Sequence, residues 1–278
     1  MNGASRFSYS RLARMAKLIA FCGLASTFAC SALPGGNDAV SNETGGQERS
    51  ERAGETARSQ NGVGKDSPCF NEYYPLTPDI VRRYGVFTGK TEESEDYSDP
   101  PTTYLKKQDY SGESSFTEFL EFSNGIEHTV KWNCAPEGLR NDEFIGYLKG
   151  PNSSNEVEVV SSSGVYMPRE DWRVGAKWSY EIKVKIKSGA SGGGDITNDA
   201  RIDYEIISLD DRVKVPGGEF TAARLSSVSN MEVVIPGRPN TPVKLTNSEW
   251  YSPEVGLVKL LQTGFNTATT VYLGDEKK

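Results

Sequence analysis

The sequence predicts a mainly β protein, built on a curved, half-barrel-like antiparallel sheet with one or two short helices. Residues 178–187 alternate between apolar and polar side chains, as expected of a strand with one face on a core. Asn124 and Gly125 separate two strand-like runs, and this pair is a strong hairpin-turn signal. Pro216–Gly218 indicates another tight turn between two further runs. These features favour hairpin-linked strands.

The first 29 residues have the three-part layout of a secretory signal peptide. Four basic residues and no acidic one come first, and an apolar run of about a dozen residues then ends in small residues around Cys30. This run is too short to span about 30 Å of hydrocarbon as a permanent transmembrane helix. We therefore predict that residues 1–29 are a signal peptide and that the protein is exported.

Cys30 is the predicted lipidation site, because a cysteine after the small residues of a signal peptide is typical of bacterial lipoproteins. Its acyl chains would form the contact with the membrane. Phe28 departs from the small residue usual at that position, so ordinary cleavage of the signal peptide stays an alternative. Ser31 favours the outer membrane over the inner one. The predicted location is a lipid anchor in the outer membrane, with a periplasmic or secreted protein as the alternative.

Residues 30–68 are predicted to form the lipidated cysteine and a disordered tether. The segment has no aromatic residue and is rich in Gly, Ser, Glu, Asn and Arg. It cannot bury enough apolar area to offset the entropy lost on ordering. A flexible chain of this length reaches about 30–37 Å on average.

The charge balance limits the choice of partners. The full chain has a net charge of −7, and loss of the four basic residues of the signal peptide takes it to −11. An acidic protein is not expected to bind nucleic acid or to dock electrostatically on anionic lipid headgroups. The predicted partners are therefore the membrane, through acylated Cys30, and a hydrophobic ligand or an envelope protein.

Cys69 and Cys134 are the two cysteines beyond the signal region, and we predict that they form a disulfide in an oxidising compartment. Such a bond would close a loop of about 65 residues and contribute about 2–4 kcal/mol. A zinc site is the alternative. It is disfavoured because the two cysteines and His128, the single histidine, supply at most three ligands. The sequence predicts neither a metal site nor a cofactor.

Two organisations of the folded part stay open. It forms either one continuous sheet or two related β lobes, an N-terminal lobe over 69–165 and a C-terminal lobe over 166–278. A short helix is predicted over Thr77–Gly85, which begins with a favourable N-cap and a proline at the first helical position and ends in a glycine. A second, shorter helical turn is predicted at Pro168–Trp172. The acidic run Glu92–Asp96 lacks the spacing of a calcium loop and is predicted to be solvated.

A two-residue turn at Asn124-Gly125 would set the register of the first hairpin. Counting outwards from this turn places Glu121 opposite His128 and Phe119 opposite Val130. The first of the two strands would then be apolar on both faces, which predicts a second layer covering it.

A second hairpin is predicted from the strands 178–187 and 200–206. The lysines of the first strand would face the carboxylates of the second across the ladder. The glycine-rich loop 188–195 joins the two strands. It lacks the Lys-Ser/Thr ending of a phosphate-binding loop and opens no helix, so a long hairpin loop is the prediction.

Three motifs in the C-terminal half resemble a domain type found in many bacterial envelope proteins. They are G-x-x-W-x-Y at 175–180, V-x-V-P-x-G-x-F at 213–220 and W-Y-x-P-x-V-G-x-V-K at 250–259. Such domains are similar to the lipoprotein-carrier fold, in which a curved antiparallel sheet wraps a helix and makes an apolar hollow. The resemblance therefore implies that this fold handles lipid or another hydrophobic ligand, and fold alone does not fix function.

We expect a non-catalytic, membrane-tethered lipoprotein whose β domain binds a hydrophobic ligand or an envelope partner. Trp172, Trp178, Trp250 and Tyr251 are the candidate ligand-contact residues, although strand aromatics also commonly fill a core. No catalytic residue is assigned.

Two alternatives to this function stay open. The first is a hydrolase-type enzyme using Glu121 and His128 as an acid/base pair, although no nucleophile in a recognisable context accompanies them. The second is a purely structural surface protein.

Overall fold

The structure is a computed structural model that describes residues 63–276, with gaps at 93, 95, 111, 113, 144–145, 151–152, 189–194, 235–238 and 265–266. The predicted signal peptide, Cys30 and most of the predicted tether lie outside the described residues. Over the described ranges, no helix has the length and apolar character needed to cross a membrane.

Fourteen strands make up one antiparallel sheet in the described part of the chain. The longest are β10 and β11, with 20 and 17 residues. In chain order the strands are β1 (Val81–Thr88), β2 (Thr102–Asp109), β3 (Ser115–Phe122), β4 (Glu127–Ala135), β5 (Gly138–Glu143), β6 (Gly146–Gly150), β7 (Ser153–Gly164), β8 (Met167–Pro168), β9 (Lys177–Ser188), β10 (Ile196–Val215), β11 (Gly218–Val234), β12 (Thr241–Ser252), β13 (Gly256–Thr263) and β14 (Ala268–Glu276).

The order across the sheet is β3-β2-β1-β14-β13-β12-β11-β10-β9-β7-β6-β4-β5-β8, and β3 also pairs with β4. The join between β6 and β4 is a single residue pair, Glu127 with Lys149, so no full ladder closes the sheet at that point. Strands from both halves of the chain are neighbours, because β1 pairs with β14 and β7 with β9. The prediction of a mainly β protein with an antiparallel sheet is confirmed, and its strands belong to one sheet.

The helix predicted over Thr77–Gly85 is wrong. Ile80 N donates a hydrogen bond to Thr77 O at 3.1 Å, which makes a single turn, and β1 begins at Val81. Strand β1 is buried on both faces and pairs with β2 and β14. This tertiary pairing outweighs the local helix-start signal. The turn predicted at Pro168–Trp172 is not helical either, and no helix occurs in the part of the chain that the structure describes.

The turn between β3 and β4 contains Asn124 and Gly125, as predicted, but it is longer than a two-residue turn. Phe122 N donates to Ile126 O at 2.8 Å, and Gly125 has a φ of 79°. This geometry is the three-residue hairpin loop with glycine in the left-handed region. One extra loop residue shifts the register of the whole hairpin by one position.

The shifted register separates the pairs expected from the sequence. Glu121 lies opposite Glu127, and His128 lies opposite Leu120. The predicted Glu121–His128 and Phe119–Val130 pairs are therefore wrong. Only one face of strand β3 is buried, since Phe119 is 36% exposed while Leu120 is buried. The covering layer expected over Phe119 is absent from the described residues.

The hairpin of β9 and β10 follows the prediction. Alternate side chains of both strands face the core, including Tyr180, Ile182, Tyr204 and Ile206. The predicted pairing of lysines with carboxylates across the ladder is confirmed. The ion pairs are Lys177–Glu205 at 3.1 Å, Lys183–Asp199 at 3.1 Å and Lys185–Asp195 at 2.8 Å.

The turn predicted at Pro216–Gly218 joins β10 to β11. Gly217 N donates to Tyr272 O at 3.1 Å. A Cβ atom on Gly217 would lie 2.4 Å from the Tyr272 ring, so only glycine fits this close approach. The turn thus packs the β10–β11 hairpin directly against β14.

The N-terminal segment, residues 63–80, packs into the core ahead of β1. Cys69 forms the predicted disulfide with Cys134 of β4. The ring of Tyr74 lies 5.7 Å from that of Trp132, centroid to centroid. The carboxamide of Asn71 accepts hydrogen bonds from the backbone N–H groups of Tyr73 and Tyr74 and donates one to Pro168 O. This segment is therefore an integral part of the fold.

Candidate functional site

The four aromatic residues predicted to contact a ligand lie in three separate environments. Trp172 and Trp178 are half-buried neighbours, with ring centroids 6.3 Å apart. Trp172 packs on Tyr73 at 4.1 Å, and Trp178 stacks on Tyr204 at 5.1 Å. Both indole N–H groups donate to backbone carbonyls. These two tryptophans are thus held by protein groups at the edge of the core.

Tyr251 belongs to a buried polar cluster on the core face, which we call the Glu249 cluster. Glu249 accepts hydrogen bonds from the hydroxyls of Tyr251 and Ser227, both at 2.8 Å. Asn247 Nδ2 donates to Ser227 Oγ at 3.0 Å, and the Tyr251 and Tyr166 hydroxyls are 3.1 Å apart. Burial raises the pKa of the Glu249 carboxyl, while the two hydroxyl donors oppose that rise. The cluster ties β11 and β12 to Tyr166.

A second buried cluster surrounds Glu118 of β3, and we call it the Glu118 cluster. Glu118 Oε2 lies 2.7 Å from Lys106 Nζ and accepts a hydrogen bond from the Tyr74 hydroxyl at 2.7 Å. Gln108 accepts a hydrogen bond from Thr77 N at 3.0 Å, which joins the cluster to the N-terminal segment. Burial lowers the pKa of Lys106, and the carboxylate of Glu118 opposes that effect. The positive charge of Lys106 and the negative charge of Glu118 therefore compensate each other inside the core.

Tyr166 connects the two clusters. Its ring lies 6.5 Å from Tyr74, 5.1 Å from Trp132, 6.3 Å from Tyr180 and 6.0 Å from Tyr204. The core face is therefore filled here by aromatic rings and by polar side chains that are hydrogen-bonded to one another. The resemblance implied an apolar hollow, and Tyr251 lies instead in contact with other side chains of the core.

Trp250 points to the opposite face of the sheet from Tyr251, because the two residues are adjacent on β12. It is 4% exposed, and its indole N–H donates to Asp211 Oδ2 at 3.1 Å. Arg224 of β11 and Lys259 of β13 flank it in the ladder, and both cations lie over its ring, at 5.1 and 5.3 Å from the centroid. The four candidate aromatics thus do not converge on one surface.

Glu121 and His128, the alternative acid/base pair, lie on opposite faces of the sheet. His128 is 2% exposed, and burial lowers its pKa to about 4. Glu121 is exposed and forms an ion pair with Lys107 at 2.7 Å. The register shift in the β3–β4 hairpin is the cause of this separation. The described residues also hold no group of three His, Cys, Asp or Glu side chains placed to bind a metal.

The burial of His128 leads to a prediction for acid stability. The histidine has a pKa of about 4 in the folded state and about 6.5 when unfolded. Between pH 6.5 and 4 the unfolded chain takes up a proton that the folded protein does not, so stability falls as the pH falls. We expect the free energy of unfolding of the wild type, relative to that of His128→Gln, to decrease by about 3 kcal/mol from pH 7 to pH 4. Urea unfolding of both proteins at several pH values measures this difference, and a difference that does not change with pH would contradict the assignment.

A groove of about 480 Å³ lies on the face of the sheet that carries the charged side chains of β9 and β10. Its floor is formed by the main chain where Ile182, Ala200 and Met231 follow one another across β9, β10 and β11, since their side chains are buried on the other face. Charged and hydroxyl side chains form the walls. The lining residues are Ser161, Ser162, Ser163, Glu181, Ile182, Lys183, Asp199, Ala200, Arg201, Asn230, Met231 and Glu232.

The charged walls of this groove, which we call the β7–β11 groove, are exposed ion pairs. Lys183 pairs with Asp199 at 3.1 Å, and Arg201 pairs with Glu181 at 2.7 Å. All four side chains are about half exposed. The sequence predicts that these charged residues lie on the solvent-exposed face of a hairpin. The groove could not be predicted, because only the pairing of β7 with β9 brings the serines of β7 next to these charged residues.

No family model and no curated protein matches this chain. Two solved structures are similar to it in fold. One is a candidate exported protein with a YmcC-like fold from Bacteroides fragilis, at 15% identity and a TM-score of 0.45, over 74% of this chain and 99% of that one. The other is a candidate lipoprotein from Parabacteroides distasonis, at 19% identity and a TM-score of 0.46, over 73% of this chain and 98% of that one. The domain type that the three motifs resemble stays a prediction.

Proposed function

We propose that this chain is an exported, membrane-tethered, non-catalytic protein that binds a polar partner in the cell envelope through the β7–β11 groove. The groove is the observation that carries the proposal. Its volume of about 480 Å³ falls within the range of about 300–1,000 Å³ typical of binding sites. The signal-peptide pattern and Cys30 support export and tethering.

The chemistry of the groove favours a polar partner over a hydrophobic ligand. Its walls present both signs of charge together with the hydroxyls of Ser161 and Ser163, and no aromatic residue is among those that line it. Exposed ion pairs contribute only about 0–1 kcal/mol each, so a partner can replace Lys183–Asp199 and Arg201–Glu181 at little cost. The aromatic residues first considered for a hydrophobic ligand are instead packed in and around the core.

The non-catalytic part of the proposal is supported by the separation of Glu121 from His128. A general base has to lie within hydrogen-bonding reach of the group it serves. Strand β3 directs Glu121 to solvent, while β4 directs His128 into the core. The hydrolase alternative depended on these two side chains acting together.

Site-specific photocrosslinking in a bacterial host tests the proposal. A photoreactive amino acid replaces Ser161 at the groove wall, in the full chain with Cys30 intact and in a Cys30→Ser variant. We expect a discrete adduct with an envelope component from Ser161. We also expect Cys30→Ser to move the protein out of the membrane fraction, because acylation then cannot occur, and to weaken the adduct.

Lys214 provides the matched control position. It is exposed on β10, the strand that also supplies Asp199 and Arg201, but it lies near the opposite end of that strand. The same photoreactive residue at Lys214 is expected to give no such adduct. Identical adducts from both positions would contradict binding in the groove, and an unchanged membrane fraction for Cys30→Ser would contradict the tether.

A further inference from the structure

The outer face of β11, β12 and β13 carries a row of three residues that the proposed function does not use. Arg224, Trp250 and Lys259 are direct neighbours across the ladder. Both cations lie over the Trp250 ring, and Lys259 is only 7% exposed. A buried lysine and a partly buried arginine on one aromatic side chain form a concentrated positive site.

Glu92, from the loop between β1 and β2, occupies this positive site. Its carboxylate lies 2.9 Å from Arg224 Nη2, and its backbone carbonyl accepts a hydrogen bond from Lys259 Nζ. The site therefore binds two groups at once, a side-chain carboxylate and a main-chain carbonyl. A glutamate within a polypeptide presents that combination.

The position of Trp250 fixes the geometry of the row. Its indole N–H donates to Asp211 Oδ2, which holds the ring between the two cations. Among the described residues, the carboxylates shown in contact with the row are those of Asp211 and Glu92. Removal of the Glu92 carboxylate would therefore make this row more positive in a protein of net negative charge.

The Glu92 side chain is held by a solvent-exposed ion pair. The side chain is 39% exposed, and the ion pair with Arg224 is screened by solvent. Polar contacts attach this part of the loop to the sheet, from Gly89 N to Thr267 O and from Thr269 Oγ1 to Lys90 O. The first fully buried apolar side chain after them is Tyr97.

We infer that the Arg224–Trp250–Lys259 row is a docking site for an acidic polypeptide segment of a partner, and that Glu92 occupies it in competition with that segment. The site is separate from the β7–β11 groove, since none of its residues lines the groove. Binding of a partner there would replace one glutamate by another and leave the sheet unchanged.

Fluorescence anisotropy with labelled hexaglutamate peptide tests the inference on the full mature chain. The wild type is expected to bind weakly, because Glu92 competes. Glu92→Ala is expected to bind hexaglutamate about tenfold more tightly, since one charge-assisted contact becomes available. Arg224→Ala added to Glu92→Ala is expected to remove that gain. Labelled hexaglutamine should bind none of these proteins detectably.

Glu121→Ala is the matched control. It removes a carboxylate from another exposed ion pair, with Lys107, and changes the net charge by the same amount. No gain in affinity is expected for it. An equal gain in Glu121→Ala, or no gain in Glu92→Ala, would overturn the inference. Either result would leave the photocrosslinking test of the groove unaffected, because Ser161 belongs to a different surface.

Discussion

Replacement of both Cys69 and Cys134 with alanine is expected to lower the free energy of unfolding by about 4 kcal/mol. The disulfide joins residues 65 positions apart, so it removes a large amount of conformational freedom from the unfolded chain. It also fixes the N-terminal segment to β4. Domains of this kind have a total stability of about 5–15 kcal/mol, and the loss is therefore a large fraction of it.

Urea unfolding of the oxidised protein and of the double alanine variant measures this effect. Reductant added to the wild type should bring its midpoint close to that of the variant, while it should leave the variant unchanged. Both cysteines are buried, so part of the loss arises from the small cavities left by the sulfur atoms. A loss below about 1 kcal/mol would show that the N-terminal segment is held mainly by its other contacts.

Lys106→Met is expected to destabilise the protein by about 3–5 kcal/mol, because it leaves Glu118 buried without its charge partner. Glu118 has a side chain that is 2% exposed, and Lys106 one that is 12% exposed. The Tyr74 hydroxyl still donates to Glu118 in this variant, but a neutral donor does not replace a cation. The free energy of unfolding from urea titration is the measurement.

Two further variants sharpen this test. Lys106→Met combined with Glu118→Leu removes both charges, so it is expected to recover much of the stability lost in the single variant. Lys107→Met breaks the Lys107–Glu121 pair, which has the same 2.7 Å separation but side chains that are 38% and 46% exposed. We expect a loss of at most about 1 kcal/mol there. Equal losses for Lys106→Met and Lys107→Met would contradict the dominant role of burial.

The fold class and the β9–β10 hairpin could be predicted from the sequence because the required information is local. Alternation from Trp178 to Lys187 defines the face of the strand directly. The disulfide could also be predicted, since the sequence predicts export and leaves two cysteines beyond the signal region, which have one possible pairing. The β3–β4 register could not, because Asn124 and Gly125 fit both a two-residue and a three-residue loop.

The contacts around the candidate sites depend on pairings between strands far apart in the sequence. The Glu118 cluster draws on β2, β3 and the N-terminal segment, while the Arg224–Trp250–Lys259 row needs three adjacent strands. The helix predicted over Thr77–Gly85 failed for the same reason. The residues that favour a helix start and a helix end are present in the sequence. Pairing with β2 and β14 nevertheless places Val81 and the residues after it in a strand.

The placement of β14 has a consequence for the order in which the sheet forms. This strand contains the last described residues of the chain, yet it lies between β1 and β13 and contributes the buried Val271 and Tyr272. The first strand thus finds one of its two neighbours only when almost all of the described chain is available for pairing. A sheet that needs β14 in this position is completed only after the other strands are available, because such long-range pairing is intrinsically slow.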